Sequence, residues 1–180
     1  GRTREPHLRT WRDGWRHLRF LLLFSPRWLF LLPGIVLVVI GLLGLTLLLP
    51  GPVRIGSIEL DIHALLYAHL ALVVGVNAIL LACFARMYAV SAGLLSESDG
   101  LTRWLRRLSL ERVLIAGLLL ILAGVIGSIV AVIVWGSESF EALDPSETMR
   151  IVIPSITAVA IGAEIVFASF VIGVLGLPRR

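Results

Sequence analysis

The chain has 180 residues, 58% of them hydrophobic and only 16% charged, and all sixteen basic residues behind its net charge of +4 are arginine. A soluble domain is about half apolar and roughly a quarter charged, so this composition excludes a water-soluble enzyme built around a large polar pocket. A single cysteine, Cys83, excludes a disulfide framework and a cysteine-based metal centre.

In chain order, residues 1–27 come first and read as a juxtamembrane interfacial segment. They open on Gly1 rather than Met, with no apolar core or small-residue cleavage site, which argues against a signal peptide and reads as the continuation of a longer chain. Leu8, Trp11, Trp15, Leu18 and Leu22 share one helical face, and Arg9, Arg12, Arg16 and Arg19 form a neighbouring stripe. Asp13 stands within pairing reach of Arg9 and Arg16. This pattern describes an amphipathic helix lying in the membrane interface, tryptophans at headgroup depth and guanidinium groups toward phosphates, ended by Ser25-Pro26. Gly14 weakens it by up to about 1 kcal/mol. The plainest role is anchoring, since each arginine near an anionic leaflet adds about 1 kcal/mol. The sharper role is recognition of a lipid phosphate by the donor forks of Arg12, Arg16 and Arg19 with His17 nearby.

Four long apolar spans follow, at about 28–49, 64–89, 113–135 and 151–177. Each is long enough as a helix to cross about 30 Å of hydrocarbon. The first ends at Pro50-Gly51-Pro52. Between the second and third, Leu101–Leu110 sets Trp104, Leu105 and Leu108 against Arg103, Arg106 and Arg107, a second short interfacial anchor. The expected fold is an all-α integral membrane protein: four transmembrane helices in two hairpins, preceded by the interfacial helix. Arginines crowd before the first span, between the second and third, and after the fourth, whereas the other two loops hold only Arg54 and Arg150 beside Glu59, Asp61, Glu138, Glu141, Asp144 and Glu147. The excess of arginine marks the cytoplasmic side, so both termini and the middle loop are expected there.

Two polar residues interrupt the spans, Asn77 in the second and Glu164 in the fourth. An ionisable group near the bilayer centre is expensive and must face protein. Ala160, Ala168 and Thr157 flank Glu164 with a face small enough for another helix, and Ala123, Gly127 and Ala131, with Ser128, offer a small stripe on the third span. The simplest role is a helix-to-helix hydrogen bond with Asn77; a proton or ion relay is the alternative and needs several such groups in series. His63 and His69, near the end of the second span, read as interfacial rather than metal-binding, for want of a third ligand. The two expected hairpins read as loose copies of each other. Asn77 corresponds to Glu164, and Ala82-Cys83-Phe84 to Ala168-Ser169-Phe170 with a one-residue slip.

No phosphate-binding glycine loop, nucleophile elbow, H-E-x-x-H or D-x-D spacing occurs, so no catalytic residue and no metal site is expected in this chain. The run from Pro6 to Phe20 (PHLRTWRDGWRHLRF), followed by Ser25-Pro26-Arg27-Trp28-Leu29-Phe30, resembles the junction of bacterial membrane-anchored family 2 glycosyltransferases of the dolichol-phosphate mannosyltransferase type. Phe167-Ala168-Ser169-Phe170 with Val174-Leu175-Gly176-Leu177 is similar to that family's last span.

The resemblance implies a parent enzyme whose N-terminal catalytic domain, absent here, uses a nucleotide-sugar and a divalent metal to glycosylate a polyprenyl-phosphate lipid at the cytoplasmic face. In that setting Arg9, Arg12, Arg16, Arg19 and His17 steer the acceptor phosphate, with Trp11 and Trp15 at the interface. Implied partners are membrane lipids, the polyprenyl-phosphate acceptor and the catalytic domain, with no nucleic acid; a homo-oligomer is left open by the sequence. The implied location is the bacterial inner membrane. The competing expectation is a stand-alone four-span protein that helps a lipid-linked sugar cross the bilayer or scaffolds a partner.

Overall fold

The computed structural model describes Trp11 and residues 13–15, 27–94, 109–137 and 145–175. Helix α1 (Leu32–Leu48) is entered through a wide π-type turn at Arg27–Leu31, with Pro33 in its first turn, where a missing N–H costs nothing. Strands β1 (Val53–Ile55) and β2 (Ile58–Leu60) follow, then α2 (Ile62–Ser91), α3 (Leu110–Ser137) and α4 (Pro145–Leu175). Four helical stretches, Arg27–Leu48, Ile62–Ser91, Leu110–Ser137 and Ser146–Val174, are long and apolar enough to cross a membrane.

The all-helical membrane fold is as expected, with one small addition and one correction. The addition is an antiparallel hairpin over residues 53–60, with Val53 opposite Leu60, Arg54 opposite Glu59 and Ile55 opposite Ile58. Gly56, at φ 62°, supplies the left-handed residue that a tight two-residue turn requires. One face of the hairpin, Val53 and Leu60, packs on Leu48, Leu65 and Ile153, while Arg54 and Glu59 pair at 2.9 Å on the other. The fourth helix also starts earlier than its apolar run. Pro145 and Glu147 suit a helix N-terminus, so Glu147 and Arg150 are helical and not loop residues. At the other end of α2, Gly93 (φ 71°) closes the helix, with Gly93 N–H donating to the Val90 carbonyl and Leu94 N–H to that of Ala89.

Exposed aromatic side chains mark two levels: Tyr67 and Trp135 near the β-hairpin end, Trp28 and Tyr88 near the end carrying the termini. Along α2, Tyr67 and Tyr88 are separated by about 31 Å at 1.5 Å per residue, the thickness of a hydrocarbon core. Asn77 stands midway between them.

Helices α1 and α2 cross at glycines, and so do α3 and α4. A Cβ added to Gly34 would lie 2.9 Å from the Gly75 carbonyl oxygen, and one on Gly75 2.8 Å from that of Gly34. Gly117 and Gly162 repeat this relation at 2.9 and 2.8 Å. Likewise Gly41 meets Ala68 and Leu72, as Gly124 meets Ser155 and Val159. Every counterpart in α3 lies 83 residues after its mate in α1, and every counterpart in α4 lies 87 after its mate in α2. The chain is therefore built from two structurally equivalent halves, with Asn77 the counterpart of Glu164. This register pairs Ala82 with Ser169, both buried, and replaces the match of Ala82 to Ala168. The extensive interfaces are α1 with α2, α2 with α4 and α3 with α4, so the four helices form the open row α1–α2–α4–α3.

Candidate functional site: a polar seam between the two halves

Within each half the helices touch through glycine and apolar side chains; between the halves, α2 and α4 add polar contacts to the buried packing of Leu65 with Ile153. Because α2 and α4 run in the same direction, residues spaced eight apart on α2 face residues spaced seven apart on α4. Three levels result. Near the β-hairpin end, Arg150 donates to the Leu48 carbonyl and pairs with the Asp61 carboxylate. Its side chain is only 15% exposed, so both partners at the helix ends are met by one largely buried fork. One step inward, His69 Nδ1 and Thr157 Oγ1 are 2.6 Å apart, and the Thr157 hydroxyl also reaches the Ile153 carbonyl at 2.6 Å. At the midpoint, Asn77 Nδ2 donates to Glu164 Oε1 at 2.7 Å. The second carboxylate oxygen, Oε2, is buried without a hydrogen-bond partner.

From Asp61 to Asn77 this seam covers about 24 Å of helix. In lipid a side-chain bond between helices is directional where apolar contact is not, so three levels fix rotation and height of one half against the other. The small stripe expected to receive Glu164 lies elsewhere. Gly117, Gly124, Gly127 and Ala131 of α3 turn to the Ser155, Val159 and Gly162 side of α4, and Ala123 is exposed. Thr157 and Glu164 sit about half a turn of helix away and face α2.

Sequence reasoning singled out Asn77 and Glu164 and the bond between them; it read His69 as interfacial, whereas His69 meets Thr157 between the helices, took Thr157 only as part of the small face beside Glu164, and missed Asp61 with Arg150. Two charges of opposite sign on residues flanking apolar spans were the available signal. Of the interfacial residues, Trp11 and Trp15 are helical and exposed, at 89% and 58%. Arg9, Arg12, Arg16, His17 and Arg19 lie outside the described residues, as do Arg103, Arg106 and Arg107. Among the described residues no three His, Cys, Asp or Glu side chains gather as metal ligands do, so these residues offer no seat for the divalent metal that the resemblance implies.

Comparison with known proteins accords with this architecture. Residues 83–176 match the glycosyltransferase family 2 C-terminal transmembrane region. Over 173 residues, 96% of the chain, the sequence is 35% identical to the low-salt glycan biosynthesis hexosyltransferase Agl6 of Haloferax volcanii. The chain spans 40% of that relative's length. No solved structure matches it. The matched region contains the second half whole and the termini end of α2, and on this ground the chain belongs to the family of glycosyltransferase family 2 C-terminal transmembrane regions.

Proposed function

We propose that this membrane domain holds a lipid acceptor in place for a glycosyltransferase reaction in which a catalytic domain moves a sugar from a nucleotide-sugar to a polyprenyl-phosphate-type lipid. The family membership carries this reading. The hexosyltransferase name of the similar protein supports a hexose as the transferred sugar. The acceptor's tail stays in the bilayer while the donor is dissolved in water, so the two meet only at the interface, the level for which the sequence pattern of the arginine stripe over residues 9–19 is suited. Arginine forks there match a phosphate in geometry and charge. The excess of arginine on the termini side supports a cytoplasmic location for both termini, the side where activated sugars are made. In a bacterium this membrane is the inner one. The exposed Trp11 and Trp15 on helical backbone suit headgroup depth.

The test is acceptor kinetics in the full-length enzyme. Replacing Arg12 and Arg16 together by Gln raises the KM for the lipid acceptor and leaves the nucleotide-sugar KM nearly unchanged. Unaltered acceptor kinetics would reduce these arginines to anchors and remove the acceptor-holding role from this stripe.

A further inference from the structure

Helix α2 is the inner helix of an open row, with α1 on one side and α4 on the other, and it keeps one narrow face uncovered. That face is formed by Tyr67, Leu70, Val74, Asn77, Leu81 and Tyr88, all exposed. Their spacing of three, four, three, four and seven forms a seam that lets two parallel helices interdigitate, but α3 shows the same alternation at Ile115, Leu118, Leu122, Val125, Ile129 and Val132. What sets the α2 face apart is a polar residue within it, which a lipid-facing helix does not need. Here Asn77 occupies the centre of the seam, midway between the two aromatic levels. One of its N–H groups is given to Glu164. Beyond that bond Asn77 stays exposed, at a depth where neither water nor lipid headgroups are present to bond its remaining donor and acceptor.

We propose that two copies of this chain pair through the α2 seam, with Asn77 hydrogen-bonded to Asn77 of the second copy. The choice of a second copy rests on symmetry and on side-chain chemistry. The membrane inserts every copy in one orientation, so copies related by a two-fold axis along the membrane normal present each residue to itself at equal depth. A carboxylate or an ammonium repels its own copy. A carboxamide carries both donor and acceptor and is complementary to itself, which is how a central Asn fixes register in parallel coiled coils. Among the described residues the open row leaves this face uncovered, and each Asn77 is incompletely bonded until a copy supplies the second carboxamide.

The experiment is cysteine cross-linking of the full chain in native membranes, in a Cys83→Ala background that removes the single native thiol. Under mild oxidation, Leu70→Cys, Val74→Cys, Asn77→Cys and Leu81→Cys give a covalent dimer of the chain, whereas the equally exposed Leu43→Cys on α1 and Ile133→Cys on α3 do not. Three of the four positions leave the Asn77–Glu164 bond intact, so the scan reads the surface even if Asn77→Cys fails to fold. As a second readout, Val74→Trp lowers the dimer fraction by about tenfold in energy transfer between labelled copies at fixed lipid ratio, a bulky clash at the seam, and Ile133→Trp leaves it unchanged. Absence of dimer at all four α2 positions, dimer at Leu43 or Ile133 of equal yield, or cross-linking to a different protein each overturns the proposal.

Discussion

The Asn77–Glu164 bond allows a test in which three substitutions at one contact differ in the size of their cost. At the bilayer midpoint Asn77 Nδ2 donates to Glu164 Oε1 at 2.7 Å, while Oε2 is buried with no partner. Interhelical side-chain bonds in membrane proteins contribute about 0.6 kcal/mol on average and up to about 1.7. An unpartnered buried oxygen costs roughly 1–3 kcal/mol. Replacing Glu164 by Leu removes the bond but also removes the stranded oxygen, so the two changes oppose each other and the net loss stays below about 1 kcal/mol. Replacing Asn77 by Leu removes the same bond and strands both carboxylate oxygens, so the loss is about 2 kcal/mol. Glu164→Gln keeps the acceptor at Oε1 and is tolerated. The assay is reversible unfolding of the chain in mixed micelles, arranged as a double-mutant cycle, with a coupling of about 1 kcal/mol between the two sites. Equal losses for the two leucine variants, or a coupling under about 0.3 kcal/mol, would refute the reasoning. Loss of glycosyl transfer in a fully folded Glu164→Gln enzyme would show instead that the carboxyl's proton is used.

Two further predictions concern the glycines and the seam's charged level. Because Gly75 and Gly162 are structural counterparts whose added Cβ would meet backbone at 2.7–2.8 Å, Gly75→Ala and Gly162→Ala each cost about 1–3 kcal/mol and match within about 0.5 kcal/mol in the same unfolding assay. Unequal costs would break the equivalence of the halves. Arg150→Leu leaves the Asp61 carboxylate and the Leu48 carbonyl without their shared donor and lowers stability by about 2–4 kcal/mol, and Arg150→Lys recovers only part, since a point charge cannot span both acceptors. Full stability of Arg150→Lys would show that a single contact matters there.

What the sequence made legible follows from what a membrane demands. The four spans are evident because a helix in hydrocarbon must be apolar along its whole length, and Asn77 and Glu164 are evident because they break that rule. Partner choice is less legible. Leu, Ile and Val serve equally toward lipid or protein, so only Gly34, Gly41, Gly75, Gly117, Gly124 and Gly162 record which faces approach closely. Their repeat is split between offsets of 83 and 87 because the connection from α3 to α4 is four residues longer than that from α1 to α2. A single offset carried along the chain slips, as the pairing of Ala82 with Ala168 did. The β-hairpin was written in Val53-Arg54-Ile55-Gly56-Ser57-Ile58-Glu59-Leu60, two alternating triplets around a glycine turn. Treating the segment as a loop between spans concealed it. Arg150 was taken for a loop charge because apolar content fell before the helix did, and a buried fork at a helix start reads from sequence like any other flanking arginine.

The division of labour between glycine and polar contacts bears on what the domain does for an enzyme. Within each half, glycine lets backbones approach so closely that dispersion alone holds the pair. Between the halves no such approach occurs, and lipid supplies no hydrophobic force to draw them together. Three hydrogen-bonded levels spread over about 24 Å resist sliding and rotation together, because a one-residue slip of α2 against α4 breaks all three at once. The segment preceding α1 and the loop between α2 and α3 carry the arginine-rich stretches, and both emerge from the first half, whereas the end of the chain, Arg179 and Arg180, emerges from the second. Locking the halves in register therefore holds the helix ends at Arg27, Ser91, Leu110 and Leu175, from which these stretches lead, at one height. On the acceptor-holding role proposed above, a lipid whose phosphate sits at headgroup depth and whose tail is free in the bilayer has only that height defined in advance, so a platform rigid along the membrane normal is the property that this role asks of the domain.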